Sequence, residues 1–516
     1  MASELIEYLI NEAGVKSPYA RQIIYRSKTC GDICSTEPVS FLRNQYLYFL
    51  PGQNIKNKIK QISPDLAVTY NRIYLAFVEL DGFLLWSEFL KISAGAIDPE
   101  SAPGHKTANE IYTDLKSLGL IKPIKYFNNT SIVIADESWA PSVNASDLNI
   151  YKRLQEHRLE EHMTSDLLKW LERTNIAGWN STYIHSDDED DKGVNGYYWD
   201  AHGFSYLWGL YSITGGDPLL QQGSMKKGSL ILIDSLLTRQ MKLHDIKGFI
   251  ARMEIQYGRI RNVRNFRIIP VCFVLNMDPE VFKIARSKGI LIITLAEVFG
   301  SRIAEIIDSI RKIDPRNVDP TALAKIIAIA DETGQDGKFG AMKGYLFNFL
   351  VASIFNTFGW PTRIGVKYEA NGRKCECDVV IRTNDDLLIV CECKGITSDK
   401  FINLGETEDE PDSVKKFFEK TVPIIEDATQ DSNIEGIIPV FITSGRFTLD
   451  ASEYLNKKND SKRITRLIKR IGRFPYKIYY DYEQLIDFFL SNTKNYAIHK
   501  QVLVEFYKTR TINNKL

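Results

Sequence analysis

Between Cys375 and Lys394 the chain reads Cys-Glu-Cys-Asp-Val-Val-Ile-Arg-Thr-Asn-Asp-Asp-Leu-Leu-Ile-Val-Cys-Glu-Cys-Lys. No other stretch restricts the fold as much. It reads as two apolar strands joined by a short polar turn, Thr383 to Asp386. Side chains alternate along a strand, so Glu376 and Asp378 share one face, as do Glu392 and Lys394. With a three-residue loop at Asn384–Asp386, Asp378 falls opposite Glu392 and Glu376 opposite Lys394. A half-buried sheet does not gather such charges without a use for them. Two carboxylates can hold a divalent ion, and an ammonium beside them can steer a water or steady a developing phosphate charge. That combination is the chemistry of metal-dependent phosphodiester cleavage.

Around this hairpin stand further segments in a telling order. Lys343-Gly-Tyr-Leu-Phe-Asn-Phe-Leu-Val-Ala-Ser-Ile-Phe-Asn-Thr-Phe-Gly359 reads as a helix ending at a glycine, leading into a strand at Ile364–Tyr368. After the hairpin come Ile437-Ile-Pro-Val-Phe-Ile-Thr-Ser-Gly445, a helix to Leu455, and a closing strand and helix over Lys477–Phe489. The set resembles the PD-(D/E)xK nuclease superfamily, in detail the catalytic domain of Mrr-type restriction endonucleases, over residues 340–491. The resemblance implies that Asp378, Glu392 and Lys394 are catalytic. It implies that Asp378 and Glu392, completed by the Cys393 carbonyl, hold Mg²⁺ or Mn²⁺. It also exposes a departure. Asn348 stands where such enzymes often carry a first-helix Glu, and Glu376 is expected to compensate as a further catalytic carboxylate.

The hairpin holds Cys375, Cys377, Cys391 and Cys393. Strict alternation puts them all on the face opposite the acids, where a helix should pack. That favours core packing over a zinc site or a cross-strand disulfide.

The rest of the 516-residue chain suggests about three or four domains in a multidomain α+β and α/β fold. Residues 1–62 read as a candidate winged helix. Residues 63–138 read as a clearer one: helix, strand, helix, a helix opened by the Thr107–Glu110 capping box, then a hairpin. Residues 139–195 read as a helical connector with an acidic loop at Asp187–Asp191. Residues 196–314 echo the C-terminal unit. There Ser229-Leu-Ile-Leu-Ile-Asp234 parallels Leu387–Glu392, and Arg267-Ile-Ile-Pro-Val parallels Gly436-Ile-Ile-Pro-Val. Asp200 and Asp234 then match Asp378 and Glu392, but Leu236 takes the lysine position, so this is a degenerate nuclease-like unit expected to be silent. Residues 335–492 form the nuclease-like domain with a mixed central sheet, and 493–516 a C-terminal helix or tail. His202 and His244 read as lone histidines of surface or core.

Lys+Arg and Asp+Glu both number 65. A chain of zero net charge does not wrap nucleic acid indiscriminately, so contacts must come from local patches. Two are evident: Arg259, Arg261, Arg264 and Arg267, and Lys462, Arg463, Arg466, Lys469 and Arg470. No apolar run is long enough to span a membrane, and the Cys usage suits a reducing cytoplasm. The expected function is a Mg²⁺-dependent endonuclease acting on double-stranded DNA, in restriction or anti-phage defence by analogy. One centre cuts one strand, so a homodimer is one route to double-strand cutting. Two alternatives stand beside it: a nuclease of the same fold acting on RNA or single strands after activation by a partner, and a non-catalytic DNA-binding or scaffold protein.

Overall fold

Two five-stranded mixed sheets, each with a pair of carboxylates facing each other across its second and third strands, organise the chain. The structure is a computed structural model. It describes all residues except 1, 42–44, 57–58, 60–67, 101–103, 186–190, 206–228, 261–266, 333–339, 431 and 508–516.

The chain begins with α1 (Ala2–Asn11) and α2 (Ser17–Cys30). β1 (Cys34–Ser35) then pairs antiparallel with β2 (Tyr48–Phe49). A hairpin over Phe41–Phe49, turning at Arg43-Asn44-Gln45, is the strand pair that a winged helix over residues 1–62 would use, and its turn residues 42–44 lie outside the described residues. Instead β2 takes β1 as partner, and Phe41 makes only an isolated bridge to Gln45. Phe41 and Leu47 are drawn into the core below, where Phe41 meets the Tyr70 ring at 5.4 Å. Next come α3 (Val68–Glu79), β3 (Phe83–Leu85), α4 (Trp86–Ser93) and α5 (Ala108–Ser117). The hairpin β4 (Lys125–Phe127) and β5 (Thr130–Ile134) completes a three-stranded sheet of order β3-β5-β4. Thr107 and Glu110 form the expected capping box. The hairpin turns on Asn128 and Asn129 at φ +49° and +59°, the left-handed pair that a two-residue turn demands.

α6 (Asp147–Arg173) starts at Ser146, whose hydroxyl accepts the Asn149 N–H. It reads as a connector but is a core element. Leu159, Met163, Leu167, Leu168 and Leu171 are buried in one apolar cluster that also contains residues of both large sheets. The reason is its apolar spacing, which covers more than one face of a long helix. Asp166 accepts the N–H groups of Ala341 and Met342 at 2.9–3.1 Å, capping the helix that opens the C-terminal unit.

The middle sheet runs β6 (Thr182–Ile184), β7 (Ala201–Ser205), β8 (Ser229–Leu236), β9 (Ile268–Val274) and β10 (Leu291–Thr294), in that spatial order. Its pairings are antiparallel, antiparallel, parallel and parallel. Helices α7 (Leu243–Ile260), α8 (Pro279–Ser287), α9 (Leu295–Phe299), α10 (Ile303–Arg311) and α11 (Pro320–Glu332) accompany it. α12 (Gly340–Asn356) then opens the second sheet, of β11 (Thr362–Ala370), β12 (Arg373–Arg382) and β13 (Leu387–Lys394). The short β14 (Phe401–Ile402) follows, then a π-helical turn at Lys416–Thr421 continued by α13 (Val422–Ala428). Last come β15 (Gly436–Thr443), β16 (Arg446–Phe447), α14 (Leu449–Asn459), α15 (Lys462–Ile471), β17 (Tyr479–Tyr480), α16 (Tyr482–Ser491) and α17 (Thr493–Tyr507). The large sheet has the order β11-β12-β13-β15-β17. Its pairing directions repeat those of the middle sheet. Even the strand prolines correspond: Pro270 pairs with Leu232 and Pro439 with Val390, each two residues before the second acid. Among the described residues no helix is long and apolar enough to cross a membrane.

Candidate functional site

The turn between β12 and β13 leaves three residues unpaired, since Thr383 N–H donates to Leu387 O at 2.9 Å. The ladder then runs from Arg382↔Leu388 to Val379↔Cys391. One step further, Asp378 stands opposite Glu392, but no backbone pair closes there. The Cys393 N–H instead donates to Asp378 Oδ2 at 2.7 Å. On the other side of Asp378 lies Gly365 of β11, at φ +61° and missing from an otherwise continuous ladder.

This break changes the phase of β12. Val379 and Ile381 pack in the layer of Cys391 and Cys393, beneath α12. Cys377 packs on the other side with Val380, Leu388 and Val390, and Cys375 lies against that cluster. The four cysteines therefore do not share a face, contrary to strict alternation. All are free thiols, and burial pushes their acidity away from the thiolate form. Among the described residues no three or more His, Cys, Asp or Glu side chains gather into a metal-holding group. The Cys393 thiol points into the core, so any part it has in a metal shell falls to its backbone.

Lys394 Nζ lies 2.9 Å from Glu392 Oε1 and donates to Asp412 Oδ1 at 2.7 Å. Burial works to lower the lysine pKa, but Glu392, Asp378 and Asp412 outweigh it and hold the ammonium protonated. Burial and then the Glu392 carboxylate push Asp378 up to about 8. The Lys394 ammonium opposes this rise but does not cancel it. Asp378 and Glu392 open onto a cavity of about 400 Å³, which Asn348 also lines. The Asn348 side chain is 5 % exposed and its Oδ1 has no hydrogen-bond partner. An unsatisfied buried acceptor beside two acids makes an all-oxygen donor set suited to Mg²⁺ or Mn²⁺.

Glu376 behaves differently from expectation. It does not meet Lys394 across the hairpin. Its Oε1 lies 3.4 Å from Arg158 Nε, and the side chain is 44 % exposed. Arg158 comes from α6 and donates to Ile364 O at 2.7 Å, passing over Gly365. A Cβ at Gly365 would sit 2.4 Å from Arg158 Nε and 2.7 Å from Glu376 Oε1. Gly365→Ala is therefore expected to destabilise by at least ~1–2 kcal/mol through the left-handed backbone alone, and to displace Arg158. Chemical denaturation measures the loss, and an unchanged midpoint would contradict this geometry. Arg158, Glu161 and His162 of α6 all line the cavity. The sequence offered no signal for them, because they lie on a helix remote in the chain and belong to no motif.

The middle sheet repeats the arrangement with a different content. The ladder reaches Ala201↔Ile233, so Asp200 stands opposite Asp234. Ser235 N–H donates to Asp200 Oδ2 at 2.7 Å, the counterpart of the Cys393–Asp378 bond. Leu236 is buried in the core at the position of Lys394. The ammonium that the sequence counted as missing comes from elsewhere: Lys91 of α4 lies 2.9 and 3.1 Å from the Asp200 carboxylate. Arg252 of α7 donates to Asp234 at 2.5 and 3.2 Å and stacks over the Trp199 ring at 4.4 Å. Burial raises the Asp234 carboxyl, opposed mainly by Arg252. The cavity beside Asp200 has a volume of about 10 Å³, at most one water. This pair is closed and neutralised by protein cations.

Arg261 and Arg264 lie outside the described residues, as does the Arg259 side chain, and Arg267 is exposed at the start of β9. Lys462, Arg463, Arg466, Lys469 and Arg470 all lie on α15. Arg463 pairs with Glu426, and Arg470 pairs with Glu435 and donates to Asp385 O in the hairpin turn. That turn is the far end of the hairpin, roughly 20 Å from Asp378 at ~3.3 Å per residue. His202 is not a lone histidine: its Nδ1 meets His185 Nε2 at 2.7 Å, and His185 in turn meets Asp191 at 2.9 Å. Burial and His185 lower His202 to about 4. His244 is buried, 3.3 Å from Asp245. Of the acidic run, residues 186–190 lie outside the described residues.

No family model matches the chain, and no curated protein does. Among solved structures, a protein of unknown function, AF1548, is similar over 32 % of this chain and 95 % of its own, at 16 % identity and a TM-score of 0.17. A likeness of that size carries no argument about fold or function.

Proposed function

We propose that the protein is a divalent-metal-dependent endonuclease of the PD-(D/E)xK type, acting on DNA. The observation that carries this reading is the contrast between two matching carboxylate pairs. Asp200 and Asp234 are closed off by Lys91 and Arg252, whereas Asp378 and Glu392 face a cavity of about 400 Å³ with the Lys394 ammonium beside them. Asp378 and Glu392 would hold the ion, with the Asn348 amide oxygen and the Cys393 carbonyl as further oxygens. Bound there, a divalent ion polarises the scissile phosphate and lowers the pKa of a water. The chain's own groups do the rest. The Lys394 ammonium carries three N–H donors, and Asp412 accepts one at 2.7 Å. The others can orient a water towards phosphorus and meet the charge that builds on the phosphate oxygens. Arg158 pairs with Glu376 at the cavity wall, which leaves Asp378 and Glu392 as the working pair.

In this reading the segment α3–β5 is a winged helix that positions the substrate. Its third helix is poorly equipped to grip a duplex, since Lys106 at its start is bound to Asp114 at 2.6 Å. Restriction or anti-phage defence is the role suggested by analogy. Incubating the full chain with plasmid, single-stranded DNA and RNA, with Mg²⁺ or EDTA, tests the proposal. Mg²⁺-dependent cutting of DNA supports it. Cutting of RNA alone favours the alternative substrate, and binding without cutting favours a scaffold.

Two further results are expected. Glu376→Gln should cut at close to the wild-type rate in the plasmid assay, because Glu376 answers to Arg158. A loss of an order of magnitude would restore it as a catalytic carboxylate. Mg²⁺ should raise the melting temperature, and Asp378→Asn should abolish the rise. The sign follows from the raised carboxyl. With its folded value near 8, Asp378 contributes stability below about pH 4 that is lost as pH rises to about 8. Metal competes with that proton, so the Mg²⁺-induced gain should be larger at about pH 8.5 than at about pH 6. Equal gains, or a gain retained in Asp378→Asn, would place the ion elsewhere.

A further inference from the structure

The cavity at Asp378 does not end at the C-terminal unit. A second cavity of about 620 Å³ adjoins it, and the two share Glu161, Lys374, Cys375 and Glu376 in their walls. The outer cavity is walled by α4, α5 and the β4–β5 hairpin on one side and by β11 and β12 on the other. The two walls meet where Asn129 Nδ2 donates to Lys367 O at 3.0 Å. The result is a trough that runs from α4 and α5 to the acidic pair and is bridged at its rim.

We propose that this trough is the path of a single unpaired nucleic-acid strand; the proposal rests on the nuclease reading of its inner end. A trough of this volume, crossed by a hydrogen bond between its walls, has no room for a duplex. Four aromatic side chains, Trp86, Tyr126, Tyr198 and Tyr368, lie in its walls. Tyr126 is 71 % exposed, and among the described residues no ring contact to it is formed. Stacking on such rings is how bases of an unpaired strand are held, with little regard to sequence. Cations concentrate towards the inner end, where Lys374, Lys416, Lys420 and Arg158 surround the acids. Lys420 is shared with Asp409 at 2.6 Å, and Glu161 and Glu369 also line the trough. Base stacking therefore carries more of the affinity than phosphate contacts along the outer part. The chain's zero net charge and the remoteness of α15 from Asp378 fit the same view. Among the described residues, the basic helix α15 lies at the far end of the hairpin from this centre.

Fluorescence anisotropy with a labelled oligothymidylate and a blunt duplex of equal length tests the proposal. The full chain carrying Lys394→Ala, with Mg²⁺ present, keeps the probe intact. The single strand is expected to bind at least tenfold tighter than the duplex. Tyr126→Ala should weaken it about 5- to 150-fold, the range for loss of one stacked base, with an unchanged melting temperature. Tyr126→Phe should retain binding. An oligouridylate bound tighter than the duplex also supports the strand path. Tighter binding of the duplex, no binding of either, or indifference to Tyr126→Ala overturns it. The nuclease reading fails separately: a preference for single strands that responds to Tyr126, without Mg²⁺-dependent cutting of any substrate by the wild-type chain, leaves the trough and removes the chemistry.

Discussion

Replacing Lys394 by Met is expected to lower the rate of Mg²⁺-dependent DNA cleavage by about 10²–10³-fold or more, the cost of removing one group that stabilises transition-state charge. Met fills the stem's volume and removes the ammonium alone. In the wild type that ammonium lies 2.9 Å from Glu392 and is bound to Asp412 at 2.7 Å. Its loss leaves Asp378 and Glu392 facing each other without the ammonium that lies against Glu392. The variant should therefore melt lower than wild type with EDTA, and recover most of that difference with Mg²⁺. Measuring rate and melting temperature together separates chemistry from folding. A variant that cuts normally would end the assignment of Lys394. One that cannot be recovered by Mg²⁺ would assign it a structural role.

Asp234→Ala should destabilise the chain by about 3–5 kcal/mol, the usual cost of stripping one partner from a buried ion pair. From the sequence, Asp234 belongs to a silent copy, so its loss should not touch cleavage. In the structure it receives two hydrogen bonds from Arg252, whose side chain is fully buried under Trp199. Removing the carboxylate strands a guanidinium in the core. The double change Asp234→Leu with Arg252→Met should recover much of the loss, since replacing both charges by apolar groups is often neutral. Denaturant midpoints of the two variants decide this. An unaffected single variant would mean that the pair is not buried in solution. Residual folded Asp234→Ala should still cut.

The hairpin was legible because its information is local. Alternation over Val379–Ile381 and Leu387–Lys394, with a polar Asn384–Asp386 turn, sets the register by itself. Asp378 and Glu392 could be paired from the sequence, and so could Asp200 and Asp234. The capping box at Thr107 and the Asn128-Asn129 turn were legible for the same reason. Where alternation failed, the cause lay outside the strand. Nothing in Cys375–Val380 announces that Gly365, on the neighbouring strand, breaks the phase and parts Cys377 from Cys391.

What the sequence alone determined, then, was which residues repeat in register within each sheet: the acid pairs, the lysine at 394 and its absence at 236. Tertiary packing decided what surrounds them. Arg158 reaches Glu376 from more than two hundred positions earlier in the chain, and Lys91 supplies to Asp200 the charge that Leu236 lacks. Register follows from a two-residue period and a short turn, so neighbouring residues suffice to specify it. Which cation fills a buried acidic site, and which site stays open, depends on helices brought together only when apolar faces of α4, α6 and α7 are buried, and no short-range pattern encodes that meeting.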